Sequence, residues 1–533
     1  MRRIRFSSEI TGATAACLAG ALAASAGAIP PTTTIITHGF QLNATAKPDW
    51  MLAMGQQILA RAGGAGSILR YAAATGQWSL AGGSAPTPGA PLVLLFNWAD
   101  ESDGAGLPGV NTGYTEAAGD ALYAAMRAPS GVLGFDPLAG RAVHFIGHSR
   151  GCCVNSESTL RLANDGIPVD QVTTLDPHPV APPLSESCGL GGVDWGDRAP
   201  VRWANVAFAD NYWRADTGLS GLCHDCDFDG IQLPATQVHN VGLGGPLGEL
   251  AGDNDDCLLG CRLEHSKTHT WYHGTIAGAT SDPDCSVNAG AWYAAAEPGC
   301  ASWNCTGYVR SALAGGVRPT LGTGTAPTAT PVLFNGAFDR SYAGWGYHGG
   351  GGTATVVAES GTGNLYLRLE PTKPSRRHNR FYLPVGASAV GAQVRVFTAG
   401  ADDQLVVRLV NDAGVSTTIG SAPLATVVGA WVSVGPFAIP SSLPRGAGYR
   451  LECALTSGDA TITAVAGVDA IAIDVAPRGP AADLNHDGVV DGADLGLLLG
   501  AWGPCAGSPC AGDLDGDGAV GGADLGLMLG SWG

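Results

Sequence analysis

The pentapeptide Gly147-His148-Ser149-Arg150-Gly151 follows directly on the apolar run Ala142–Ile146 (AVHFI) and precedes a helix-compatible stretch. A strand that turns at once into a helix, with glycine two residues to either side of a serine, is a demanding local geometry. The glycines let two chain segments pass closely while the serine is held strained with its hydroxyl exposed. The N–H of the next residue then sits at a helix N-terminus, where it can receive an oxyanion. Read blandly, Ser149 is a turn residue. Further apolar, β-rich runs occur at Thr32–Thr37, Leu92–Trp98, Gln171–Leu175 and Val201–Phe208, with helix-compatible stretches such as Asp49–Arg61 and Tyr114–Met126 between several of them. Continuous apolar strands alternating with helices predict a mostly parallel sheet with helices on both faces.

At 533 residues the chain exceeds one such unit. The segment TLGTGTAPTATP (Thr320–Pro331) reads as an extended linker, since it has no large apolar residue after Leu321. This places a first domain over 27–317 and a linker over 318–331. Over 332–477 short alternating segments take over (Leu365–Leu369, Gln393–Phe397, Gln404–Leu409, Trp431–Val434, Ala470–Asp474), which predicts an all-β sandwich. The last piece, 483–533, is a repeat of 30-residue period: DLNHDGVVDGADLGLLLGAWG and DLDGDGAVGGADLGLMLGSWG match at 15 of 21 positions.

Arg2, Arg3 and Arg5 precede an Ala-rich run from Thr11 to Ala24 and the small residues Ala24, Ser25 and Ala26. Residues 1–26 therefore read as a signal peptide, and the expected location is secreted or cell surface. The 28 Lys+Arg against 46 Asp+Glu give a net charge of −18, which argues against nucleic acid as a partner. Of the 14 cysteines, Cys17 falls in the signal, so 13 remain and at least one thiol is unpaired. Disulfides are the expectation for Cys188, Cys223, Cys226, Cys257, Cys261, Cys285, Cys300 and Cys305. Cys223, Cys226, Cys257 and Cys261 also have spacing that suits zinc.

A nucleophilic serine needs a base and an acid. Asp176, in Thr174-Leu175-Asp176-Pro177, ends the predicted strand Gln171–Leu175, where such sheets place functional loops. It also fits a strand-end turn. His265, His269 and His273 are the candidate bases.

Taken together, Thr37-His38-Gly39-Phe40, GHSRG, TLDP and a histidine ahead of Trp271-Tyr272 resemble the α/β-hydrolase lipases related to pancreatic lipase. The resemblance implies an α/β-hydrolase fold and a Ser149–His265–Asp176 triad, with His269 as the alternative base. It further implies an oxyanion hole from the backbone N–H groups of Phe40 and Arg150, an ester or lipid substrate, and no cofactor for catalysis. Position 150 is usually apolar in that family. Arg150 would contact a polar substrate group or pair with a neighbouring carboxylate. Cys152 and Cys153 read as small apolar packing residues, and the Cys- and Asp-rich stretch from Gly221 to Cys261 occupies the place of a lid.

The sandwich, opening on Leu333-Phe334-Asn335-Gly336-Ala337-Phe338-Asp339, is similar to jelly-roll carbohydrate-binding modules. Trp345, Tyr347 and Trp431 are either sugar platforms or core. Lys373, Arg376, Arg377 and Arg380 around His378 read as a solvated loop, or as a contact for an acidic glycan. In the tail, Asp483, Asn485, Asp487, Val489 (by its carbonyl), Asp491 and Asp494 fall at calcium-loop positions 1, 3, 5, 7, 9 and 12. Asp513, Asp515, Asp517, Ala519 and Asp524 repeat the pattern, with Gly521 at position 9. The tail resembles type I dockerin repeats, a small α-helical EF-hand-like unit binding two Ca2+ ions, and implies a cohesin-like or cell-surface partner. Gly492-Ala493 and Gly522-Ala523 stand where that family reads its partner, and leave the partner undetermined. Three readings follow: a secreted esterase or lipase with accessory modules, an esterase directed to acylated polysaccharide, and a non-catalytic surface-assembly protein.

Overall fold

The computed structural model describes residues 31–41, 48–102, 113–181, 194–214, 230–243, 260–279, 300, 303–345, 355–426, 428–459, 461–475, 482–485, 489–505, 512–515 and 519–533. The segment read as a signal peptide, Tyr347, Asp487, Asp517 and most of the proposed lid lie outside them, as do Cys188, Cys223, Cys226, Cys257 and Cys285.

The first domain runs β1 (Thr32–Thr37), α1 (Trp50–Arg61), β2 (Ser67–Ala72), β3 (Gln77–Gly83), β4 (Leu92–Phe96), α2 (Ala99–Ser102), α3 (Tyr114–Arg127), β5 (Ala142–His148), α4 (Gly151–Asn164), β6 (Val169–Leu175), β7 (Val206–Trp213), β8 (His239–Gly242) and α5 (Gly260–Ala277). Its eight strands form one sheet in the order β3-β2-β4-β1-β5-β6-β7-β8, parallel throughout except for the β2–β3 pair. Side chains alternate across each strand. Ile35, Leu94 and Phe145 join a core with Leu122 of α3 and Leu160 of α4. Ile36, Leu95 and Ile146, one residue further on, join Met54 of α1 and Trp271 of α5 on the opposite face. Both faces are covered, so the strands have no polar side to show, and each fully buried large apolar side chain contributes about 1.5–3 kcal/mol.

The second domain comprises β9 (Thr355–Ala358), β10 (Leu365–Leu369), β11 (Ser375–Arg377), β12 (Phe381–Leu383), β13 (Ala387–Thr398), β14 (Asp403–Asn411), β15 (Ser416–Pro423), β16 (Trp431–Ala438), β17 (Ala447–Ser457) and β18 (Val465–Val475). They make two antiparallel sheets, β16-β13-β18-β10-β9 and β11-β17-β14-β15, with β12 also on β17. The sheets share a core that includes Phe338, Trp345, Leu367, Val394, Leu405, Val407, Leu409 and Val468. Trp345 is therefore core.

The two domains are joined by contacts as well as by chain. The segment read as a tether lies along the first domain: Arg318 pairs with Asp170 at 2.7 Å, Gly322 N–H donates to the Thr236 carbonyl at 2.7 Å, and Thr325 exchanges bonds with Arg202 and Ala204. A chain of Gly, Thr and Pro has no core of its own, and its backbone groups are satisfied by the surface it crosses. The basic cluster is largely interior rather than a solvated loop. Arg376, His378 and Arg380 are buried, and Arg380 leaves the sandwich to donate to the Ala124 carbonyl (2.8 Å) and the Ala128 carbonyl at the C-terminal end of α3. A cation there bonds carbonyl oxygens of the last turn and complements the helix dipole. Asp412 pairs with the same guanidinium at 2.7 Å. At the other end of α3, Arg340 pairs with Glu116 at 3.0 Å, and Phe334 and Ala343 pack on Tyr114 and Ala117.

The tail holds α6 (Gly492–Gly500), β19 (Gly503–Pro504), β20 (Ala519–Val520) and α7 (Gly522–Gly530) around a small core of Ala482, Val490, Leu498, Val520 and Met528. Among the described residues no helix is long and apolar enough to cross a membrane.

Candidate active site

Ser149 stands between β5 and α4 with φ of 57°, in the left-handed region that a side-chain-bearing residue rarely occupies. The surroundings hold it there. Its N–H donates to the Leu175 carbonyl at 2.9 Å, tying it to the end of β6. A Cβ on Gly147 would lie 2.8 Å from the Gly151 carbonyl oxygen, and one on Gly151 would lie 2.5 Å from the Thr37 and His38 oxygens. The two elbow glycines are thus sites where β5, α4 and the end of β1 cross too closely for any side chain.

Asp176 follows β6 directly, also at positive φ (48°), and is fully buried. Its Oδ2 lies 2.6 Å from His265 Nδ1, and its Oδ1 accepts from the Arg214 N–H at 2.7 Å. Burial pushes the Asp176 carboxyl up, to about 7, against the opposing pull of the Arg214 charge and N–H, His178 and the Gly230 N–H. His265 projects from α5, and its carbonyl lies 3.0 Å from Nε2 of His148, the neighbour of Ser149. Ser149, Asp176 and His265 are therefore gathered at the carboxyl ends of β5 and β6. The alternative base, His269, lies one turn further along α5, its ring stacked on Trp50 at 4.3 Å and edge-on to His148 at 4.9 Å. His273 is wholly buried, two turns along α5 from His265.

Phe40 reaches the same place through Gly39. A Cβ on Gly39 would lie 2.4 Å from Ser149 Cβ and 2.9 Å from its Oγ, so the chain after β1 passes against the serine. Burial lowers the His38 pKa to about 4, leaving a neutral ring. Its Nε2 accepts from the Trp98 N–H (3.2 Å), which leaves Nδ1 to donate to the Gly39 carbonyl (2.8 Å). That carbonyl belongs to the same planar trans peptide as the Phe40 N–H, so the N–H points the opposite way. Arg150 caps α4. Its guanidinium is fully buried, paired with Asp197 through Nε (2.6 Å) and Nη2 (2.7 Å), and lies between the rings of Trp98 and Trp195 at 5.3 and 4.7 Å. Of the two roles open for this side chain in sequence, the structure shows carboxylate pairing.

Sequence reasoning missed Asp197, Ser102, Trp98, Trp195 and Arg214. None stands in a recognisable motif, and each is brought to the site by tertiary contact. Cys152 and Cys153 are buried free thiols, and burial pushes both well above the ordinary thiol range, which suits packing rather than reactivity. Cys300 and Cys305 are bonded to each other.

In the tail, carboxylate oxygens of Asp513, Asp515 and Asp524 all lie within 4.8 Å of one another. Asp524 is oriented by N–H donors from Leu514 (2.6 Å) and Gly521 (2.7 Å), and Asp494 of the first repeat by those of Asn485 and Asp491, both at 2.9 Å. An all-oxygen donor set of this kind fits a hard divalent cation, and no Lys or Arg occurs anywhere in 483–533 to neutralise its eight aspartates.

No protein-family model matches the chain, and no curated protein does. Among solved structures it is similar to a carbohydrate-binding module in complex with β-1,4-galactotriose (10% identity, TM-score 0.19, covering 28% of this chain and 100% of the module). It is also similar to a family 16 carbohydrate-binding module (18% identity, TM-score 0.21, 27% of this chain, 99% of that one) and to a family 22 module of a Clostridium thermocellum xylanase (12% identity, TM-score 0.20, 27% of this chain, 97% of that one).

Proposed function

We propose that this chain is a secreted serine hydrolase of carboxylic esters with an α/β-hydrolase catalytic domain. The observation that carries the reading is the 2.6 Å contact of Asp176 with His265 beside a serine held at positive φ where a strand meets a helix. Ser149 Oγ attacks the ester carbonyl as His265 Nε2 takes its proton. The oxyanion is received by the N–H groups of Phe40 and Arg150, each such donor contributing about 3 kcal/mol. His265 then protonates the departing alcohol, and the acyl-enzyme is hydrolysed by water activated in the same way. Asp176 fixes the imidazole and stabilises its charged form. Replacing Ser149 by Ala is expected to abolish hydrolysis of p-nitrophenyl esters, and activity that survives the change sinks the assignment. The Cys300–Cys305 bond supports an oxidising, extracellular setting.

A second reading, that the esters are carried on a polysaccharide, draws on the outer face of the β16-β13-β18-β10-β9 sheet. There Tyr366 meets Trp431 at 5.4 Å and Phe397 at 6.0 Å, beside Arg368, Arg395 and Glu359. Aromatic rings flanked by hydrogen-bonding groups suit the apolar faces and hydroxyls of sugars. Trp431→Ala is expected to reduce retention on insoluble acetylated xylan, while leaving p-nitrophenyl ester hydrolysis intact.

For the tail, the reading is a calcium-binding, dockerin-like docking module. Asp483, Asn485, Asp487, the Val489 carbonyl, Asp491 and Asp494 would hold one ion, and Asp513, Asp515, Asp517, the Ala519 carbonyl and Asp524 the other. Each repeat leaves a half-exposed apolar set, Leu497, Leu499 and Trp502 in one and Leu527, Leu529 and Trp532 in the other, at corresponding positions. Such faces suit a cohesin-like partner.

A further inference from the structure

One contact between the sandwich and the catalytic domain lies close to the site. Asn379, 2% exposed, lies between β11 and β12, and its backbone N–H is fixed to the Gly344 carbonyl at 2.7 Å. Its Nδ2 crosses the domain boundary and donates to Glu101 Oε1 at 2.9 Å. Glu101 belongs to α2, a four-residue helix that is too short to hold its own geometry. The next residue, Ser102, makes two contacts with the site. Its Oγ accepts from the Gln41 N–H at 2.9 Å, directly after Phe40, and its carbonyl accepts from Arg150 Nη1 at 2.5 Å. One short element of the first domain therefore braces the residues that supply both oxyanion donors. Glu101 and Ser102 are both fully buried.

A second route runs through α3. Arg380 and Arg340 hold its two ends, and Thr115 in its first turn donates to Asp197 Oδ1 at 3.1 Å, the carboxylate that pairs with Arg150. Both routes end on the Arg150 side chain, and the first also reaches the Gln41 N–H beside Phe40. The sandwich is thus built into the support of the first domain's site as well as being covalently attached to it.

We propose that Asn379 of the sandwich is a positioning residue for the oxyanion donors at Phe40 and Arg150, acting through Glu101 and Ser102. The proposal rests on the serine-hydrolase reading. Without the amide donor, the buried Glu101 carboxylate loses this hydrogen bond across the domain boundary, and the four-residue α2 loses its tie to the sandwich. Ser102, in the same helix, loses that anchor too. Displacing transition-state donors lowers the rate of attack on a carbonyl or phosphonyl centre while leaving ground-state binding of the acyl group nearly unchanged.

The test uses the full chain and two readouts: kcat and KM on p-nitrophenyl butyrate, and the rate of covalent labelling by an alkyl fluorophosphonate. In the labelling step the Ser149 Oγ–P bond forms, the P–F bond breaks, fluoride departs and His265 accepts the serine proton. Asn379→Leu keeps the volume and removes the donor. It is expected to slow kcat and labelling about tenfold, the order of effect of a misplaced transition-state contact, with KM within about twofold. The exchanged pair, Asn379→Asp with Glu101→Gln, restores an amide–carboxylate bond with donor and acceptor reversed, and is expected to return both rates to within about threefold of wild type. Asn379→Leu at wild-type rates, or an exchanged pair as slow as Asn379→Leu, overturns the proposal. Failure of the reading beneath it is distinct: wild-type protein that is not labelled, or Ser149→Ala that is labelled equally well, removes the hydrolase assignment itself.

Discussion

Gly39→Ala is a single methyl group placed against Ser149, the proposed nucleophile. The added Cβ would stand 2.4 Å from Ser149 Cβ, 2.9 Å from its Oγ and 3.1 Å from the His148 carbonyl oxygen. Carbon atoms in contact prefer about 3.5–4.0 Å, so more than 1 Å of overlap must be relieved. Ser149 has little room to retreat, because its N–H is bonded to Leu175 and the elbow glycines on either side are already at closest approach. The alternative is for Gly39 and the Phe40 N–H to move outward. Either response displaces the nucleophile or an oxyanion donor by about 1 Å, for which about 10²-fold in rate is a typical loss, equivalent to about 2.7 kcal/mol in the barrier. Overpacking adds a stability cost of about 1–3 kcal/mol. The assay is kcat on p-nitrophenyl butyrate well below the melting temperature of the variant. Gly134→Ala serves as control, since a Cβ there meets nothing within 4 Å. Gly39→Ala within twofold of wild type would refute the close approach on which the site is built.

Two further outcomes follow from charge. Burial raises the Asp176 carboxyl from its ordinary 3.8 to about 7, so between those values the folded protein holds a proton that the unfolded chain has lost. The associated stability is present below about pH 4 and is lost as pH rises through about 7, whereas hydrolysis, which needs the anion, rises over the same upper range. Denaturant midpoints at pH 5 and 8 for wild type and Asp176→Asn check the first half: the wild-type decline relative to the variant should be present, and a relative gain contradicts it. In the tail, chelating calcium is expected to speed hydrogen exchange of the amides in α6 and α7, and unchanged exchange argues against calcium at the Asp513, Asp515 and Asp524 cluster.

Strands with uninterrupted apolar runs were legible in the sequence: β1 coincides with Thr32–Thr37, and β4, β5 and β6 lie within two residues of the runs that foretold them. Their pattern needs no context because both faces of the sheet are buried. β7 begins at Val206 rather than Val201, because residues 201–205 are taken up by turns and by bonds to the Thr320–Pro331 segment. The β2–β3 hairpin, SILRYA and QWSLAGG, escaped notice because its β3 half is largely exposed and Gly-rich. The site was legible where chain neighbours define it, as at Ser149 and in the Asp176 turn. Choosing between His265 and His269 took the fold, since both lie on one helix and only the packing of α5 decides which meets Asp176. Arg380 shows the opposite failure. A cluster of arginines reads as solvated until a second domain supplies the carbonyl oxygens that bury it.

The central claim is that Ser149 forms an acyl-enzyme. The most direct measurement is to mix the protein with p-nitrophenyl acetate, quench in acid within the first turnovers and locate the adduct by peptide mass spectrometry. The expected result is an acetyl increment of about 42 Da, the mass of the transferred group less the hydrogen it replaces, on the peptide containing Ser149 and absent from Ser149→Ala. An acetyl group found only on other residues, with hydrolysis undiminished in Ser149→Ala, would contradict it.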